Sequence, residues 1–283
     1  MEKAVLINGI TKVFNDKKVL DNISLQINKG EIFGLLGPSG AGKTTLIKIL
    51  TGQLKAENGN SIINGVDSQK LTGKDYSGFG IMMDNFGVYE RLSCFDNLKI
   101  FARIYNIGND KINEALDSVG LANEKKTPAS SLSKGMKSRL RLARVFMINP
   151  QILFLDEPTS GLDPVTADEI QKMILAEKEK GKTIFLTTHT MTEAEKLCDN
   201  IALLNEGNIV EYGNPKEICR RYNHQKKIII HLADGSDMEI LQDEKAADII
   251  SELLKNKKAE TIHTTEPNLE TVFMELTGKE LSK

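Results

Sequence analysis

The sequence predicts an α/β fold: a mixed-sheet core, an antiparallel β region at the N-terminus, a helical region in the middle and a small α+β appendage at the C-terminus. Three stretches carry most of that prediction. Residues 31–52, EIFGLLGPSGAGKTTLIKILTG, read as a short apolar run, a glycine-rich turn and a helix. Residues 152–157, ILFLDE, are a second apolar run that stops at two carboxylates, and residues 182–189, KTIFLTTH, a third that stops at a histidine. Short apolar runs bounded by turns suit buried parallel strands, and ligands gather at the carboxyl ends of such strands.

In the first stretch, Gly37, Gly40 and Gly42 let the backbone curl so that successive N–H groups point at one anion. The N-terminus of the following helix, with Leu46, Ile47 and Leu50 on its inner side, adds a partial positive charge. Lys43 is spaced to reach the β- and γ-phosphates of a nucleotide, and the Thr44 hydroxyl to ligate magnesium. Expected nucleotide contacts are therefore Gly37, Pro38, Ser39, Gly40, Ala41, Gly42, Lys43, Thr44 and Thr45. A glycine-rich turn that binds nothing does not account for strand, glycines, Lys and Thr in one register. A nucleoside triphosphate is the expected ligand.

The 283 residues suffice for one large domain, or for one domain with a smaller appendage. Acidic residues number 39 and basic residues 37, a net charge of −2, which argues against a surface that coats nucleic acid. No nucleic-acid partner is expected. Cys94, Cys198 and Cys219 are odd in number and lack CxxC spacing, as in a reduced, cytosolic setting. The N-terminus, MEKAVLING, lacks the apolar core of a signal peptide. No apolar run approaches the ~20 residues that cross a bilayer, so any membrane work is expected to need another chain.

The chain opens with alternation at Val5, Ile7 and Val13, then at Val19, Ile23, Leu25 and Ile27, around turn residues 15–18. This predicts an antiparallel hairpin leading into the glycine-rich stretch. Phe14 sits at its corner, and two readings stand: a platform on which adenine stacks, or a core aromatic. From LINGITKVF through VLDNISLQINKGEIFGLLGPSGAGKTTLIKILTG, the chain resembles the ATP-binding subunit of an ABC transporter. That resemblance implies a P-loop ATPase core whose further motifs follow in fixed order.

After a polar stretch and a strand at residues 61–66, residues 80–92 resemble the family's Q-loop region, with Asp84 where the family has glutamine. Asp84 is either a magnesium ligand in a closed state or a side chain turned away from the metal. Helical spacing at Leu98, Phe101, Ala102, Ile112, Ala115, Leu116 and Val119 predicts a helical subdomain, where family members dock their membrane partner. Leu132-Ser-Lys-Gly-Met136 stands at the place of the LSGGQ signature. Ser133 and Gly135, ahead of a helix, form a second anion site in kind; alone, such a segment is a helix cap. Lys134 and Met136 depart from the family's pattern.

The resemblance assigns Asp156 to the magnesium shell and Glu157 to general base, orienting and deprotonating the attacking water. Because side chains alternate along a strand, the two acids are expected to differ in role. Residues 158–163, PTSGLD, resemble the family's D-loop. Asp163 there is expected both to cap the next helix, with Pro164 in its first turn, and to serve the catalytic site. His189 corresponds to the switch histidine that contacts the γ-phosphate. His224, His231 and His263 have no such company.

The ATP-binding domain is expected over residues 1–218, its helical subdomain at about 86–146, and an accessory region, a hairpin plus two helices, over 219–283. The basic run from Arg220 to Lys227 reads as a solvated linker, with a membrane or partner contact as the minority reading. A hairpin turning at Asp234-Gly235 follows, then an amphipathic helix over 244–257 and a last helix from Pro267.

The resemblance implies a head-to-tail dimer, with an identical chain or a paired ATPase subunit. Two ATP molecules would be sandwiched between one chain's phosphate loop and the other's signature. A separate transmembrane permease is implied, with this chain at the cytoplasmic face of the membrane. Residues 266–273 are similar to the tails of ATPase subunits of drug and antibiotic exporters, which tilts the reading to export. The alternative is a soluble mechanical ATPase acting on ribosomes or DNA, though such relatives carry two cores or a coiled-coil insertion. A regulator without hydrolysis is opposed by Glu157 and His189.

Overall fold

Alternation in residues 3–28 produces a hairpin, β1 (Lys3–Phe14) paired antiparallel with β2 (Lys17–Asn28), in the computed structural model, which describes residues 2–83, 88–224, 226–265 and 267–278. Asn15 and Asp16 make the turn with φ of 45° and 64°. Positive φ at both positions gives the two-residue turn whose twist matches that of its strands. The strand expected at residues 61–66 is two, β4 (Asn58–Ile63) and β5 (Val66–Asp67), folded on Asn64-Gly65; the sheet order is β2-β1-β4-β5.

The second sheet has the order β10-β9-β3-β8-β7-β6. Its strands are β3 (Ile32–Leu36), β6 (Phe79–Met82), β7 (Ile152–Asp156), β8 (Thr183–Thr188) and β9 (Asn200–Asn205), all parallel, with β10 (Asn208–Gly213) antiparallel at one edge. Every residue of β3, β7 and β8 is buried, as a parallel sheet covered on both faces requires. Phe33, Phe185, Phe154 and Phe79 line one face, with successive ring centroids 5.4, 5.9 and 6.1 Å apart. Such cross-strand aromatic pairs help hold the register. Helix α1 (Lys43–Leu50) buries Leu46, Ile47, Ile49 and Leu50 in the same core. Leu36 pairs with Thr188 and Asp156 with Thr187, so the ends of β3, β7 and β8 meet at one edge.

The expected helical stretch is α2 (Cys94–Ile104) and α3 (Asn109–Ser118), broken where Asn106 takes φ of 54°. Both pack with α4 (Lys134–Met147). α5 (Pro164–Glu179) and α6 (Met191–Leu197) follow β7 and β8. None of the three cysteines is in a disulfide.

The chain divides into two compact units between Asn214 and Pro215. The boundary expected after residue 218 would cut α7 (Pro215–Arg221), which packs on α9 (Leu269–Thr277), so the whole helix falls in the second unit. That helix also replaces the start of the expected basic linker. The hairpin of β11 (Lys227–Leu232) and β12 (Asp237–Leu241) gains an unexpected strand, β13 (Ala259–Thr265), in the order β12-β11-β13. Ile262 is its one large aliphatic residue, too little for a period-2 signal. α8 (Glu244–Lys255) covers this sheet through Ala246, Ile250 and Leu253. His224 meets Glu275 at 3.1 Å and His231 meets Asp237 within this unit.

Candidate functional site

β3 ends at Leu36 and α1 starts at Lys43, with Gly42 as N-cap at φ of 112°. Both conformation and space demand glycine there: a Cβ would stand 2.8 Å from the Val19 carbonyl oxygen and from Leu20 Cδ2. Ser39, Gly40, Gly42, Lys43, Thr44 and Thr45 line a cavity of about 260 Å³, closed by Val19, Asp156 and Glu157. A helix N-terminus opening on such a cavity offers unsatisfied N–H donors to an anion. Gly37 and Pro38 turn their carbonyl oxygens on Lys43 Nζ, at 2.7 and 3.2 Å, and Ala41 is buried beneath the loop.

Lys43 is the cavity's cation. Its side chain is 5% exposed, and Nζ also lies 3.2 Å from Glu157 Oε1. A buried ammonium needs such partners, because removing it from water unpaired costs several kcal/mol. Here two carbonyls and a carboxylate supply them. The same three contacts hold Nζ at the mouth of the loop, where a phosphate would compete for it.

Asp156 is buried, and its two oxygens accept from different hydroxyls: Oδ2 from Thr44 Oγ1 at 2.8 Å and Oδ1 from Thr187 Oγ1 at 2.6 Å. Glu157 lies past the end of β7 with φ of 48°. Left-handed backbone at a non-glycine residue costs about 1–3 kcal/mol and persists where its surroundings enforce it. The enforcement is visible: Glu157 N–H donates to the Thr187 carbonyl oxygen and Oγ1, both at 3.1 Å. Strand alternation alone therefore does not separate the two acids. The left-handed residue turns Glu157 out while Asp156 stays in.

His189 follows β8, and its Nδ1 is 3.0 Å from Glu157 Oε2. An ionised carboxylate only accepts, so Nδ1 is the donor in that pair. Glu157 thus bridges Lys43 through one oxygen and His189 through the other.

Other expected residues stand outside this cavity. Ser133 caps α4, Oγ accepting from Met136 N–H at 3.2 Å. Gly135 packs so closely on α5 that a Cβ would meet Thr166 Cγ2 at 2.5 Å. Asp163 caps α5: Oδ1 accepts from Val165 and Thr166 N–H, and Oδ2 from Thr166 Oγ1 at 2.6 Å. Hydrogen bonds from the Thr166 side chain and backbone hold its carboxyl below the usual range. Phe14, 44% exposed at the hairpin's end, is not in the cavity wall, and Lys12 Nζ lies 4.9 Å from its ring centroid. Asp84 lies outside the described residues.

Two site residues escaped the sequence reading. Val19, a plain strand residue, forms a wall of the cavity through the approach of β2 to Gly42. Thr187 holds both Asp156 and Glu157; its one signal was the hydroxyl-rich Thr-Thr-His end of an otherwise apolar strand.

The model of the ABC transporter family matches residues 20–160. The chain is 38% identical to the fluoroquinolones export ATP-binding protein of Mycobacterium tuberculosis over 90% of its own length and 86% of that protein's. It is 31% identical to the linearmycin resistance ATP-binding protein of Bacillus subtilis over 96% and 98%. Among solved structures, cbiO1 of Clostridium perfringens, part of an ABC transporter complex, matches with a TM-score of 0.70 at 29% identity, over 77% of this chain and 91% of that one. An ATP-binding cassette of an ABC transporter in its ADP conformation matches equally well, at 25% identity over 77% and 93%. By these similarities the chain belongs to the ATP-binding subunits of ABC transporters.

Proposed function

We propose that this chain powers a separate membrane-spanning exporter through ATP-driven closure of a dimer of ATPase subunits. The observation that carries the reading is the chain of contacts Lys43–Glu157–His189 at the phosphate loop. In it ATP takes Lys43 with its phosphates and frees one oxygen of Glu157. That oxygen accepts the proton of the attacking water, while His189 holds the other and steadies the carboxylate.

Magnesium fits the donor set. Thr44 and Asp156 present hard oxygens within 2.8 Å of each other beside the cavity, and Asp156 has no cation against it among the described residues. Magnesium keeps few protein ligands and takes the rest from phosphate and water, and no larger all-protein cluster is present among the described residues. Thr44 and Asp156 would hold the ion, with Asp84 as a third candidate; bound there it neutralises charge on the β- and γ-phosphates.

Ser133 and the N-terminus of α4 are outside the phosphate cavity, which favours their use by a nucleotide on a second chain. Phe14, partly exposed at the hairpin's end, is the residue proposed to stack on adenine. Export, rather than work on ribosomes or DNA, is favoured by the names of the relatives from M. tuberculosis and B. subtilis. No helix among the described residues is long and apolar enough to cross a membrane, so the membrane path would belong to the permease, with this chain at its cytoplasmic face.

A groove of about 280 Å³ between β6 and helices α2 and α4 suits a docking segment of that permease, lined by Tyr76, Phe79, Phe101, Tyr105 and Arg144. The Arg144 guanidinium lies 4.7 Å over the Phe101 ring, and burial pushes its pKa down. With no carboxylate against it among the described residues, it asks for an acidic residue on the incoming segment. Sizing Glu157→Gln by light scattering tests the dimer: mass doubles with ATP and not with ADP. Copurification tests the groove: Arg144→Glu releases the permease while ATP binding stays. Unchanged mass in ATP overturns closure, and an intact complex with Arg144→Glu overturns the docking site.

A further inference from the structure

Glu193 is a buried acid for which the reaction has no use. It sits on α6, just after the His189 loop, and is 2% exposed. Its Oε1 accepts from Thr159 Oγ1 at 2.7 Å, and its Oε2 is buried with no hydrogen-bond partner. Thr159 belongs to the loop that leaves Glu157, two positions on. The two loops that carry the base and the histidine therefore meet twice: in front, where His189 touches Glu157, and behind, where Glu193 holds Thr159.

We infer that Glu193 is a positioning residue for the Glu157–His189 pair, its buried carboxyl group tying the Glu157 loop to the helix behind His189. The inference rests on the catalytic assignment of that pair. Three observations support it. The left-handed Glu157 is held on one side by Thr187, and Thr159 is the next hydroxyl along the loop with a fixed partner. Glu193 has no cation within ion-pair distance among the described residues, so its role is not that of a salt bridge. With Oε2 lacking a hydrogen-bond partner, the Thr159 hydroxyl is the group's one short hydrogen bond, so the carboxyl group is committed to that loop.

The surroundings agree. Burial raises Glu193 above the ordinary carboxylate range; the side chains of Thr188, Thr159 and Gln171 and the His189 ring act the other way without cancelling it. Cys198, at the end of the same helix, is itself pushed well up, first of all by burial.

Steady-state hydrolysis and ATP binding by the purified subunit test this with Glu193→Ala, Glu193→Gln, Thr159→Val and the double variant Glu193→Ala/Thr159→Val. Displacing a catalytic pair by a fraction of an ångström costs turnover more than affinity. Glu193→Ala and Thr159→Val are expected to lower kcat about tenfold or more, with KM for ATP within about twofold. The double variant should lose no more than the worse single one, as residues acting through one contact do. Glu193→Gln, which keeps volume and an oxygen for Thr159, should stay within about threefold of wild type. Wild-type kcat in Glu193→Ala overturns the inference, as does multiplicative loss in the double variant or a Glu193→Gln as impaired as alanine. Should Glu193→Ala fail to fold, Thr159→Val against Glu193→Gln decides alone. Wild-type turnover by Glu157→Gln overturns the catalytic assignment and the inference with it; an inactive Glu157→Gln beside an unimpaired Glu193→Ala overturns the inference only.

Discussion

Lys43 Nζ and Glu157 Oε1 are 3.2 Å apart across the mouth of the phosphate loop, with Lys43 almost wholly buried. In the proposed function the pair joins the residue that would bind phosphate to the residue that would activate water. On that proposal phosphate would compete with Glu157 for the same ammonium, and nucleotide arrival and release of the base would be one event. Glu157→Gln removes the competitor as well as the base. It is expected to abolish steady-state hydrolysis and to bind ATP at least as tightly as wild type. Equilibrium binding of a fluorescent ATP analogue checks this, and weakened binding would show that Glu157 helps hold nucleotide.

By the resemblance to the family, Asp84 stands where a glutamine is expected, and its side chain is shorter than that neutral amide and charged. Facing a triphosphate, a carboxylate is repelled unless a cation lies between; charges at ~4 Å interact by about 4 kcal/mol at an effective dielectric near 20. Asp84→Asn is therefore expected to weaken magnesium-dependent hydrolysis severely, while Asp84→Gln is tolerated. ATPase rates against magnesium concentration measure it. Wild-type rates in Asp84→Asn would overturn a magnesium role for Asp84.

Glu193 makes stability depend on pH in a known direction. Burial raises its pKa from the ordinary 4.5, so between the unfolded and folded values the folded chain holds a proton that the unfolded chain has lost. Stability from this group is then full below the unfolded value and falls as pH rises towards the folded one, by at most about 1.4 kcal/mol per pH unit. Glu193→Gln does not titrate. Its urea midpoint relative to wild type should rise as pH climbs above the ordinary 4.5, and a constant difference would show that burial does not raise this acid.

The second compact unit begins at Pro215 and has its own apolar cluster around Ile228, Ile230 and Ala246. A chain ending at Asn214 is expected to bind ATP with an affinity within about threefold of the full chain, since the loop's partners all precede residue 190. Ending at Tyr222 instead leaves α7 without α9 and should lower solubility. Loss of ATP binding on truncation at Asn214 would make the second unit part of the core.

The phosphate loop was legible in residues 31–52 because its pattern is local: Gly42, Lys43 and Thr44 follow one another at the junction of one strand, turn and helix. Asp156, Glu157 and His189 were legible as strand ends, since short apolar runs announce buried parallel strands and their carboxyl ends share an edge. The short strand β13 was not, because its place comes from pairing with β11 rather than from its own pattern. Only the tertiary structure decided that Glu157 turns out through a left-handed backbone, that Thr187 enforces the turn, that Val19 closes the cavity and that Glu193 meets Thr159. Each of those joins residues from different strands or helices. The hydrogen bonds and close approaches that define them exist only once the sheet has set its register.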